Sequence, residues 1–161
     1  MTPVRVLFVC WGNICRSPTA EAVMRRLVDE AGMAGAIVLD SAGTSAEHGG
    51  SPPDRRAVAE ADRRGLDIRG LRARKVTPDD WRDFDLLLVA DAAVERNLLG
   101  TAPDDAARAK VHRMTDFGPD AGVIDEVPDP YYGGPDGFEE VYDVLDRACR
   151  GLLDELAARR A

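Results

Sequence analysis

The chain has 161 residues, 45% hydrophobic and 31% charged, a mix that suits one fold around a single core. Its 21 basic and 29 acidic side chains give a net charge of −8, which excludes a general basic footprint for nucleic acid. Three cysteines are too few for a disulfide framework, and His48 and His112 lie apart from them without zinc spacing.

No charged-then-apolar signal segment opens the chain, and no apolar run reaches membrane-spanning length. A reducing, cytoplasmic setting is expected, with leaderless secretion left open. No metal, cofactor, nucleic acid or membrane partner is expected.

Val4 to Val9 is a β-branched apolar run, which predicts a buried parallel strand. From Ser17 the period changes: Ala20, Val23, Met24, Leu27 and Val28 predict a helix ending near Gly32. Ala36 to Leu39 predicts a second strand, followed by a loop at Ser41-Ala42-Gly43-Thr44. Asp54 is a candidate N-cap for a helix running to Gly65. Leu86 to Ala90 predicts a third strand, after which Asp91 caps a helix through Leu99. Lys110 to Met114 predicts a weaker fourth strand, and 116–137 a loop rich in Gly, Pro and Asp. Phe138, Val141, Leu145, Ala148, Cys149 and Leu152 mark a last helix over about 137–159. Alternating strands and helices predict a three-layer α/β fold in one domain, 1–161. Its parallel sheet is expected in the order 2-1-3-4, with helices on both faces and flavodoxin-like topology.

In such sheets ligands sit beyond the carboxyl ends of the strands. The stretch Cys10-Trp11-Gly12-Asn13-Ile14-Cys15-Arg16-Ser17 falls there, between the first strand and the first helix. Gly12 and Asn13 allow unusual backbone angles, so the loop can curl its N–H groups into an anion nest. The helix N-terminus adds positive potential at the same spot. The pattern is not a Walker loop. Cys10 sits at the mouth of that field, beside an arginine, in surroundings that favour a reactive thiolate. Arg16 can present its fork to two phosphoryl oxygens, and Ser17 can donate to the sulfur.

The stretch VCWGNICRSPTAEAV resembles the active-site loop of the low molecular weight protein tyrosine phosphatases. The resemblance continues through Ser41-Ala42-Gly43-Thr44, Pro53-Asp54-x-Arg56-Ala57, Ala73-Arg74 and Asp129-Pro130-Tyr131-Tyr132-Gly133-Gly134. It implies phosphotyrosine monoester hydrolysis through a cysteinyl-phosphate, with phosphotyrosine proteins as substrates and inorganic phosphate as product. It makes Cys10 the nucleophile, Arg16 the phosphoryl clamp and Asp129 the general acid, with Asn13, Ser17 and Ser41 bracing the loop. It also implies that Tyr131 and Tyr132 flank the incoming ring and are candidates for phosphorylation themselves. A monomer is expected, with weak self-association allowed.

Cys15 fits the family's redox guard, which forms a reversible disulfide with the nucleophile; a small thiol packed under the loop is the plain alternative. Cys149, on an apolar stripe, reads as core. Asp91 reads either as partner of Arg16 or as a helix cap.

Three departures from the family pattern stand out. Trp11 replaces the usual Leu or Thr, Glu47 replaces an aromatic residue at the rim, and Leu71 replaces a histidine that braces the loop asparagine. Trp11 is expected to supply the aromatic contact missing at 47, and Glu47 to disfavour acidic neighbours of the phosphotyrosine. With Leu71 unable to hydrogen-bond, the brace on Asn13 is expected to be shorter or completed by water. Ile14 separates the chain from protein-arginine phosphatases, which carry Thr there and form one rival reading. Thiol-dependent arsenate reductase is a second rival, short of shuttle cysteines. A non-enzymatic phosphotyrosine-binding module is a third, at odds with the set Cys10, Arg16 and Asp129.

Overall fold

A computed structural model describes residues 2–134 and 136–160. In chain order the elements are β1 (Val4–Cys10), α1 (Arg16–Glu30), β2 (Ile37–Gly43), α2 (Arg55–Arg63) and α3 (Asp80–Asp83). There follow β3 (Leu86–Val89), α4 (Ala92–Leu99), α5 (Asp105–Arg108), β4 (Val111–Arg113) and α6 (Asp136–Arg160). A 3-10 turn occupies Met114–Asp116. The strands form one parallel sheet flanked by helices, as the alternation predicts, in the expected order β2-β1-β3-β4.

The sheet is covered on both faces, which explains the unbroken apolar run of β1. Val6, Phe8 and Cys10 face a core shared with Val23, Met24 and Leu27 of α1 and Leu145, Cys149 and Leu152 of α6. Leu7 and Val9 face the opposite core, with Trp81, Phe84, Val94 and Leu98. Side chains of a strand alternate between faces, so a strand buried on both sides must be apolar throughout. Cys10 thus ends β1 on the side of α1 and α6. Cys149 is core as expected, 2% exposed.

Helix starts follow their caps. Asp54 accepts from Arg56 N at 2.8 Å to open α2, and Asp91 accepts from Val94 N at 2.8 Å to open α4. Gly65 follows α2 with φ +81°, a left-handed residue that costs glycine little.

Several boundaries differ from the sequence-based expectation. β2 runs through Gly43, so Ser41, Ala42 and Gly43 are strand, not loop; pairing with β1 along Val4 to Cys10 extends it. The loop's small residues hide a strand because Ala42 needs no bulk to be wholly buried. The first helix starts at Arg16 and ends at Glu30. β3 stops at Val89, and β4 spans only Val111–Arg113. The short helices α3 and α5 carry too few residues for a readable period.

Candidate active site

The loop from Cys10 to Arg16 leaves the carboxyl end of β1 and enters α1. Its curl depends on Asn13, which at φ 57° is the one non-glycine residue with positive φ among the described residues. Outer contacts hold the curl. The carbonyls of Cys10, Trp11 and Ile14 accept from the N–H groups of Thr44 (3.0 Å), Ser45 (2.9 Å) and Asp54 (2.8 Å). The Cys15 carbonyl accepts from Thr19 Oγ1 at 2.7 Å. A loop whose carbonyls are committed outward leaves its N–H groups to line the concave side, as an anion nest requires. Gly43 allows the close approach: a Cβ there would stand 2.6 Å from the Trp11 carbonyl oxygen.

Cys10 is buried at the floor of the loop, 3% exposed. Its Sγ lies 3.0 Å from Ser17 Oγ and accepts from Asn13 N at 3.3 Å. Asn13 is itself braced on three sides. Its Nδ2 donates to Ser17 Oγ (2.7 Å) and Ser41 Oγ (3.1 Å), and its Oδ1 accepts from Arg74 N at 3.0 Å. Leu71 makes no part of this brace, and the Arg74 backbone supplies its third bond.

Arg16 is 2% exposed. Its Nη1 donates to Asp91 Oδ2 at 2.7 Å and to the Val127 carbonyl at 2.9 Å. Its Nη2 lies 3.7 Å from Asp129 Oδ2. Burial works against the guanidinium's charge, but the neighbouring Cys10, Asp91 and Asp129 outweigh it and push the pKa above the usual arginine range. Asp91 takes both roles left open by the sequence, one oxygen on Arg16 and the other capping α4.

These groups close a cleft of about 240 Å³. Cys10, Gly12, Ile14 and Arg16 line it together with Trp11, Cys15, Glu47, Asp129, Tyr131 and Tyr132. The predicted floor, acid and rim therefore meet in one place, although they span 123 positions of sequence (132 less 9). Asp129 also accepts from Tyr131 N at 3.1 Å, so the Asp-Pro turn aims the carboxylate and the first tyrosine together. Tyr131 and Tyr132 pack edge to face, 4.9 Å between ring centroids, and the Arg56 guanidinium stands 5.5 Å from the Tyr131 ring. Trp11 is 42% exposed at the rim.

Sequence reasoning missed His48. It lines the cleft, meets Trp11 edge-on at 6.1 Å, and lies 6.3 Å from the Tyr131 ring. Its place beside Glu47 at the rim was the available signal. The contacts of Arg74, whose backbone N–H reaches Asn13, and of Glu21, which meets Ser41 behind the loop, were also missed.

Cys15 is a free, buried thiol. Burial pushes its pKa up, and the neighbouring Asp54 carboxylate pushes it further. Among the described residues, no group of three or more His, Cys, Asp or Glu is placed to hold a metal ion, and no helix is long and apolar enough to cross a membrane.

A cysteine sulfur on the floor of an anion nest, a buried arginine beside it and a carboxylate at the rim define a phosphoryl-transfer site on an open α/β sheet. The comparisons with known proteins make the class particular. Residues 5–161 match the model of the family "Low molecular weight phosphotyrosine protein phosphatase". The chain is 43% identical over 150 residues to a low molecular weight protein-tyrosine-phosphatase of Streptomyces coelicolor, covering 92% of this chain and 91% of that one. The crystal structure of YfkJ from Bacillus subtilis superposes with a TM-score of 0.92 at 36% identity, over 100% of this chain and 99% of that one. A protein tyrosine phosphatase from Entamoeba histolytica, solved with Hepes in its active site, gives 0.90 at 37% identity, covering 98% and 99%. The chain belongs to the low molecular weight phosphotyrosine protein phosphatase family. Homology and fold support protein-tyrosine-phosphatase activity through a cysteine nucleophile, with phosphotyrosine proteins as substrates and phosphate as product.

Proposed function

We propose that the whole chain, 1–161, works as one cytoplasmic phosphotyrosine phosphatase domain with Cys10 as nucleophile, Arg16 as clamp and Asp129 as general acid and base. The observation that carries this reading is the convergence of Cys10, Arg16 and Asp129 on one cleft. In the first step Cys10 Sγ attacks phosphorus, forming an S–P bond as the P–O bond to the phenol breaks. Asp129 gives its proton to the departing oxygen, whose own pKa is about 10, so phenol rather than phenolate leaves. In the second step water attacks phosphorus, Asp129 takes its proton, the S–P bond breaks and the thiolate returns. Throughout, Arg16 and the loop N–H groups hold the equatorial oxygens, where catalysis of phosphoryl transfer chiefly resides.

Asp91 and the Val127 carbonyl hold Arg16 in place before substrate arrives, which lowers the cost of ordering the clamp. Trp11, Glu47, Tyr131 and Tyr132 form the substrate rim, and His48 joins them. Ile14 gives the wall of the cleft an apolar contact for a phenyl ring. Cys15 serves as redox guard. Peroxide oxidises the Cys10 thiolate to a sulfenic acid, which condenses with the Cys15 thiol to a disulfide and water. Its raised pKa keeps Cys15 itself a poor first target.

The test is metal-free hydrolysis of p-nitrophenyl phosphate, a phosphotyrosine peptide and a phosphoarginine peptide. Cys10→Ser is expected to be inert. Asp129→Ala is expected to lose about 10²–10⁴-fold on phosphotyrosine, and less on p-nitrophenyl phosphate, whose leaving group needs no proton. Hydrolysis by Cys10→Ser, or phosphoarginine as the best substrate, overturns the reading.

A further inference from the structure

Glu21 is 4% exposed on α1, outside the cleft and unused by the chemistry above. A buried carboxylate persists only with partners. One oxygen accepts from Ser41 Oγ at 2.7 Å, and the other is paired with Arg25 one turn along α1. Arg25 is half exposed, with the pair at the mouth of a surface groove. Leu71 lines the same groove and offers Glu21 no hydrogen bond.

Counting hydrogens gives this arrangement a direction. Ser41 has one hydroxyl hydrogen, and Glu21, an acceptor only, takes it. Ser41 Oγ therefore faces Asn13 with lone pairs alone and accepts from Nδ2 at 3.1 Å. The second Nδ2 hydrogen goes to Ser17 Oγ at 2.7 Å. The bond from Arg74 N to Asn13 Oδ1 forbids the flipped amide, which would turn donors against donors. Ser17 thus accepts from Asn13, and its own hydrogen is free for Cys10 Sγ at 3.0 Å. The competing acceptor, the Ala42 carbonyl, is farther at 3.4 Å.

We propose that Glu21, held by Arg25, is a positioning residue that fixes Ser41 as the acceptor bracing the Asn13 amide, and through it the hydrogen-bond chain ending on the Cys10 sulfur. The inference rests on Cys10 being the nucleophile. Replacing Glu21 with an apolar residue leaves the Ser41 hydroxyl hydrogen without its acceptor; Arg74 still keeps the Asn13 amide from flipping, but Nδ2 loses a fixed acceptor and its hold on Ser17 loosens. The step most exposed is breakdown of the cysteinyl-phosphate, when sulfur regains its charge and needs the Ser17 donor. The effect therefore falls on kcat more than on KM.

The test compares Glu21→Leu, Glu21→Gln, Arg25→Ala and Arg25→Lys in the full chain by stopped-flow hydrolysis of p-nitrophenyl phosphate, with thermal unfolding alongside. Glu21→Leu is expected to lower kcat about tenfold with KM within about twofold, and to show a burst of p-nitrophenol as the intermediate accumulates. Glu21→Gln keeps an acceptor for Ser41 and is expected to recover most of the rate. Arg25→Ala is expected to lower kcat about threefold, and Arg25→Lys to restore it. An unchanged kcat without a burst in folded Glu21→Leu overturns the proposal. So does a Glu21→Gln loss as large as that of Glu21→Leu. If Glu21→Leu does not fold, the half-exposed Arg25 carries the test, and wild-type kcat in Arg25→Ala overturns it. Cys10→Ser separates the two readings: if it is inert while the Glu21 and Arg25 variants match wild type, the nucleophile stands and this proposal alone fails.

Discussion

Asp91 divides its carboxylate between Arg16 and the start of α4: Oδ2 lies 2.7 Å from Arg16 Nη1, and Oδ1 accepts from Val94 N at 2.8 Å. One side chain fixes both the clamp and the helix beside it. Burial raises the Asp91 pKa, but the Val94 N–H and Arg16 outweigh it and hold the carboxyl below the usual range. A carboxyl depressed in the folded state adds stability above its unfolded pKa of about 4, and that stability is lost as pH falls through the folded value. Asp91→Asn is therefore expected to cost about 1–3 kcal/mol near neutrality. The gap to wild type should narrow in acid. Urea unfolding of both proteins across this range checks it; a gap independent of pH contradicts it.

Gly43 is expected to tolerate no side chain, because a Cβ would meet the Trp11 carbonyl at 2.6 Å and Asn13 N at 3.2 Å. Gly43→Ala should push the loop off its geometry by a fraction of an ångström or more. A displacement of that order costs about 10²-fold in kcat/KM. Steady-state kinetics together with circular dichroism check that activity falls while the fold persists.

Trp11 stands at the rim with its ring edge-on to His48. Trp11→Ala is expected to raise KM for a phosphotyrosine peptide about two- to tenfold, the worth of one aromatic contact, with kcat little changed. An unaltered KM would show that the exposed indole packs against the rim without meeting substrate.

Cys15→Ser is expected to leave turnover near wild type in reducing buffer. After a peroxide pulse and then dithiothreitol, wild type should recover activity and Cys15→Ser should recover less, as its Cys10 proceeds up the oxidation ladder. Equal recovery would remove the guard role and leave Cys15 as packing beneath the loop.

Much of this was legible in the residues. The period change at Ser17 placed the loop between a strand and a helix, and the alternation of strands and helices gave the parallel sheet. Asp54 and Asp91 announced two helix starts as caps. What the sequence hid was long-range. The end of β2 reads as loop because Ser41 to Gly43 are small, yet their extended pairing with β1 brings Ser41 and Gly43 against the loop. Glu21 looks like an ordinary polar residue of an amphipathic helix until Ser41 arrives from another strand to meet it. His48 carries no local pattern, and only the closing of the rim shows that it faces Trp11 and Tyr131.

The central claim is that Cys10 carries the phosphoryl group between the two chemical steps. Rapid acid quench during turnover of p-nitrophenyl phosphate, followed by peptide mass spectrometry, tests it directly. The expected result is a phosphoryl group on the peptide containing Cys10, present in wild type, enriched in Glu21→Leu and absent from Cys10→Ser. Phosphorylation at another residue, or turnover by Cys10→Ser with no labelled peptide, would contradict it.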